Sequence, residues 1–77
     1  MKKKVNKYLS ELGHNIREIR KAQNISQEEL AARAEIDRSY VGGIERGERN
    51  VSFLTLIKIA KCLNCQIKDI AKEIPNE

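Results

Sequence analysis

The sequence predicts an all-α fold, five short helices round one core, and three observations carry that expectation. Apolar residues recur at steps of three and four, and no segment alternates with the period of two that marks a strand. Helix-opening residues (Ser26, Asp37, Ser52) and helix-closing ones (Gly47, Asn64, Pro75) punctuate the chain at short intervals. A length of 77 residues suits a single core and leaves no room for a separate ligand-sensing module.

Residues 1–5 read as a mobile basic tail ahead of one domain over 6–77. From Asn6 to Gln23, Leu9, Leu12, Ile16, Ile19 and Ala22 form the stripe of an amphipathic helix, which Asn24-Ile25 breaks. Ser26 with Glu29 three residues on is a capping box for a second helix, with Leu30, Ala31 and Ala34 inward. Glu35-Ile36-Asp37 is a tight connector, with Asp37 placed to cap a third helix that buries Val41 and Ile44 and stops at Gly47. Ser52 caps a fourth helix burying Phe53, Leu56, Ile57, Ala60 and Leu63. A fifth runs from about Ile67 to Ile74 and is closed by Pro75.

Charge narrows the function. Fifteen Lys and Arg against eleven Asp and Glu leave a net +4, which favours an anionic partner. Aromatic residues are limited to Tyr8, Tyr40 and Phe53, too few for a single-strand binder that stacks bases on ring faces. No apolar run approaches the roughly 20 residues that span a bilayer, and Ser10, Glu11 and His14 occupy the place of a secretory apolar core. A cytoplasmic protein is expected, without a membrane partner. Cys62 and Cys65 with the distant His14 do not make a four-ligand zinc site, so the thiols read as small core hydrophobes, with no metal or cofactor. His14 has Glu11 and Glu18 one helical turn away, which is surface pairing rather than acid–base catalysis. No enzyme is expected, and no small-molecule ligand.

The central stretch is more specific. Gln27-Glu28-Glu29-Leu30-Ala31, then Ile36-Asp37-Arg38-Ser39-Tyr40-Val41, then Ile44-Glu45-Arg46-Gly47 has the layout of a helix-turn-helix over about 27–46. Small Ala31 lets the second helix of the unit pack close across the first. That second helix is the one such units place in the major groove. With Leu54-Thr55-Leu56-Ile57-Lys58-Ile59-Ala60 following, the chain from about 9 to 73 resembles the Cro and repressor type of helix-turn-helix family. It is especially similar to the small controller proteins of restriction–modification systems. Glu35 stands where that family often has Gly, and must take the turn without Gly's freedom.

Roles follow from chemistry. Arg38 and Ser39 open the recognition helix and are the candidates for base edges, Arg38 through guanine O6 and N7. Gly42 and Gly43 each cost about 1 kcal/mol relative to Ala inside a helix. They either bring bare backbone to the bases or serve internal packing. Gln27 at a helix N-terminus, Tyr40, Arg46 and Arg49 are candidates for phosphate, and Lys2, Lys3 and Lys4 for diffuse contacts. The resemblance implies a partly buried pair, Arg20 with Glu45, that orients the recognition helix. It also implies an acidic contact for RNA polymerase, for which Glu28 is the candidate.

One such unit buries too little surface to find its site in a genome. A homodimer on a pseudo-palindromic double-stranded operator, with half-sites roughly 34 Å apart, is expected. Its interface is expected on the fifth helix, at Ile67, Ile70 and Ile74. The resemblance implies a transcriptional regulator acting on its own restriction–modification operon. The rivals are a phage or mobile-element repressor and an antitoxin-type module that binds a protein partner as well as DNA.

Overall fold

The computed structural model describes residues 6–74; the basic tail and Pro75 lie outside the described residues. Five helices follow in order, α1 (Lys7–Ala22), α2 (Gln27–Ala34), α3 (Arg38–Glu45), α4 (Phe53–Cys62) and α5 (Ile67–Ile70), and no strand occurs among the described residues. Each boundary has a chemical cause. Asn6 caps α1, its side-chain oxygen accepting from the Tyr8 and Leu9 amides at 2.8 and 3.2 Å. Ser26 caps α2 reciprocally: its hydroxyl accepts from the Glu29 amide at 3.0 Å, and the Glu29 carboxylate accepts from the Ser26 amide at 2.9 Å. That second bond holds the Glu29 carboxyl below its ordinary range. Ser52 opens α4, accepting from the Thr55 amide at 3.1 Å.

Asp37 occupies the cap position of α3 with extended backbone, but its carboxylate makes no capping bond. Glu35 takes the left-handed turn in full, at φ 60° and ψ 43°, a conformation that side chains other than Gly rarely adopt. The end of α3 closes by two reverse bonds, Glu48 amide to Gly43 carbonyl at 2.9 Å and Gly47 amide to Ile44 carbonyl at 3.0 Å. Gly47 supplies the positive φ of 75° that this closure needs.

Ile16, Leu30, Val41, Ile44, Ile59, Leu63 and Ile70 are fully buried and make one core. Helix α3 is wedged between α1 and α2, while α4 and α5 close the far side against α2 and α1. Three sequence expectations need correcting. Phe53 is exposed, at 64 %, because the first turn of α4 projects past the core and the inward face begins only at Leu56. Ala22 lies on the right stripe of α1 but in its last turn, where it is exposed. Helix α5 stops at Ile70 instead of reaching Ile74. Its end is tied down by buried Asn15, whose amide donates to the carbonyls of Ile70 and Lys72 at 2.7 and 2.8 Å.

Candidate nucleic-acid interface

Burial divides α3 by face. Val41, Ile44 and Glu45 point into the protein, whereas Arg38 and Ser39 at the opening turn and Arg46 just past the end are exposed. Residues 38, 42 and 46 follow one another at steps of four, so they share the outward face. At its N-terminal end this face meets the start of α2, where Arg20, Ser26, Gln27, Glu28 and Arg38 line one shallow hollow. The outward face of a short helix, basic at both ends and standing beside the exposed N-terminus of another, can reach into a groove of duplex DNA.

What holds α3 at its angle is polar and buried. Arg20 of α1 makes a two-pronged contact with Glu45, Nε to Oε2 at 2.7 Å and Nη2 to Oε1 at 2.9 Å, and donates Nη1 to the Ile25 carbonyl at 2.8 Å. The bond to Glu45 raises the Arg20 pKa further above its ordinary value, outweighing the opposing effect of burial. Gln27 completes the cluster, its amide donating to Glu45 Oε1 at 2.9 Å. Three elements therefore meet on one carboxylate. The side-chain amide of Gln27, a candidate for phosphate, is committed to the protein in the free chain.

The two glycines of α3 are covered by arginine side chains in the free chain. Both are buried, and the space a side chain would occupy is filled by arginine. A Cβ on Gly42 would lie 3.1 Å from Nη1 of Arg46, and one on Gly43 would lie 2.5 Å from Cγ of Arg49. In the free chain Gly42 makes room for the Arg46 guanidinium and Gly43 for the Arg49 stem. Arg46 also pairs with Glu48 at 3.1 Å across exposed surface, which contributes little to stability. The Tyr40 hydroxyl donates to the Asn50 carbonyl at 3.1 Å, and the Arg49 guanidinium lies 5.6 Å from the centre of its ring.

Of the expected dimer residues, Ile70 is fully buried in the core and has no surface left for a partner, since one turn of helix has a single inward position and Ile70 fills it. Ile67 and Ile74 are half-buried. Glu28 is exposed. Cys62 and Cys65 are free thiols packed beside the core, and burial pushes the Cys65 thiol up. Among the described residues no cluster of His, Cys, Asp and Glu is placed to hold a metal ion, and no helix is long and apolar enough to cross a membrane.

Two structural residues escaped the sequence reading. Asn15 sits in the α1 stripe between Leu12 and Ile16, a polar residue on an apolar face, and that placement marks it as buried. Gly13 in mid-helix was the other signal, since an interior Gly without a turn to serve marks a close approach.

Comparison with known proteins is consistent with this geometry. A family described as helix-turn-helix matches residues 16–70. The chain is 46% identical over 56 residues to control protein C.SmaI of Serratia marcescens, covering 73% of this chain and 67% of that one. It is also 46% identical over 59 residues to control protein C.BamHI of Bacillus amyloliquefaciens, covering 75% and 73%. Its fold is similar to the crystal structure of the restriction–modification controller protein C.AhdI from Aeromonas hydrophila. There the TM-score is 0.83 and the identity 43%, over 84% of this chain and 98% of the other.

Proposed function

The chain belongs to the helix-turn-helix family of DNA-binding transcriptional regulators, and on that basis we propose that it is the controller of a restriction–modification operon that includes its own gene. The observation that carries this reading is the outward face of α3, basic at both ends and locked in orientation by the buried Arg20–Glu45 contact. Likeness to proteins named as controllers supports the choice of operon. Arg38 and Ser39 read bases, while Arg46 and Arg49 neutralise flanking phosphates. Exposed Glu28 supplies acid at the opening turn of α2, where the helix dipole favours it, and serves as the contact for RNA polymerase.

The test is footprinting and reporter output on the DNA upstream of the gene. Occupancy of two related half-sites, with output that follows protein concentration, is the expected result. Arg38→Ala should cost about 1–3 kcal/mol and relax base preference at one position in each half-site. An equal loss on cognate and scrambled duplexes makes Arg38 a phosphate contact only.

The protein acts as a homodimer, and its interface includes the first turn of α4. Phe53 and Leu54 are exposed at 64 and 63 %, the most exposed of the large hydrophobic side chains among the described residues. Half-buried Ile67 and Ile74 add apolar surface from the chain's end. Dimerisation then makes occupancy steep in protein concentration. Leu54→Asp should weaken the dimer by about 2 kcal/mol or more and leave the monomer folded, because the side chain touches little of its own core. Sedimentation that finds an unchanged dimer places the interface elsewhere.

A further inference from the structure

Gly43 has a use beyond packing. It lies one turn after Tyr40 on α3, so ring and bare backbone share a face. The chain reverses at Gly47 and returns with Arg49 along that face. The Arg49 stem rests on Gly43, with Cγ 2.5 Å and Cδ 3.5 Å from where a Cβ would stand. Its guanidinium then reaches the Tyr40 ring at 5.6 Å, within the range of a cation–π contact. Tyr40 is itself anchored, half-buried and bonded to the carbonyl of Asn50, the residue after Arg49. Ring, helix backbone and returning loop thus surround an exposed arginine on three sides.

We propose that Gly43 is a positioning residue, which with Tyr40 forms a cradle that pre-sets Arg49 for a phosphate of the DNA backbone. The proposal rests on the DNA-binding reading above and adds a residue that acts only through another. A free arginine gives up rotamer freedom when it takes hold of a phosphate; one already laid along α3 gives up less. A methyl at Gly43 lifts the stem off the helix and breaks the contact with the ring. The atom in the way is Cγ, near the root of the exposed Arg49 side chain, so that side chain must turn about its first bond to clear the methyl; the better helix propensity of Ala, about 1 kcal/mol, offsets that cost.

The experiment compares the full-length wild type, Gly43→Ala, Arg49→Ala and the double variant. The probes are a duplex selected by the wild type from a random pool and a scrambled duplex, each over a range of salt. Gly43→Ala is expected to bind both duplexes about five- to tenfold more weakly and to flatten the salt dependence by about one phosphate contact. Its melting temperature should be no lower than wild type, and the double variant should bind like Arg49→Ala alone. Unchanged affinity in Gly43→Ala overturns the proposal. So does a loss confined to the selected duplex with an unchanged salt slope, which makes Gly43 a base contact, and so does a fall in melting temperature, which makes it a packing residue. A wild type that selects no duplex overturns the DNA-binding reading and this inference with it. A wild type that binds while Gly43→Ala is neutral overturns this inference alone.

Discussion

Glu45→Ala is expected to lower the stability of the fold by about 3–5 kcal/mol, the cost of leaving one member of a buried ion pair unmatched. Arg20 and Glu45 are only 9 and 8 % exposed, so water cannot replace the lost carboxylate without opening the core. Arg20 would keep the Ile25 carbonyl and lose both bonds to Glu45, and the Gln27 amide would lose its acceptor too. A chain of 77 residues has roughly 4–12 kcal/mol of stability in all, so the variant gives up about a quarter of it or more. The measurement is urea unfolding, with the midpoint shifting while the slope stays constant. Arg20→Met with Glu45→Leu is the informative partner, since replacing both ends of a buried pair with apolar groups is often neutral. Recovery in the double variant shows that the single loss came from an abandoned charge. A loss below about 1 kcal/mol in Glu45→Ala would mean that solvent reaches the pair.

The pair also shows how far residue types and spacing lead. The helices, caps and turn around Ser26, Glu35 and Ser52 are local, each determined by neighbours within four residues, and they are legible in the chain. The outward set of α3 is equally local. Arg20 and Glu45 are 25 residues apart; their contact came from family likeness, because nothing in either segment alone announces it. Phe53 and Ile70 illustrate the opposite failure. Periodicity places both on apolar faces, but it does not say where the core ends along the helix. Phe53 falls beyond that edge and Ile70 well inside it.

Glycines are harder still, because identical residues serve different needs. Gly47 answers first to its own backbone, at φ 75°, and a C-terminal stop is readable from that position, although a Cβ there would also stand 2.7 Å from Cα of Ser10 on α1. Gly42 and Gly43 make way for side chains that arrive from further along the chain. Gly13 makes way for another helix, and only the packed structure tells these cases apart.

Gly13→Ala is therefore expected to destabilise the fold by about 2–4 kcal/mol, even though Ala is the better helix former by about 1 kcal/mol. A Cβ at Gly13 would stand 2.1 Å from the Ile44 carbonyl oxygen and 2.7 Å from that of Glu45. These are backbone atoms at the end of α3, so no side chain can swing aside. Either α1 moves away from α3 or the last turn of α3 unwinds. Both shifts pull on the Arg20–Glu45 contact two turns further along α1, and both tilt the face that carries Arg38 and Ser39. Stability and operator affinity should fall together in Gly13→Ala, while Gly43→Ala lowers affinity alone. Thermal unfolding and duplex binding, run on the two variants side by side, read the difference. A Gly13→Ala protein as stable as wild type would show that α1 and α3 do not approach as closely as the backbone distances require.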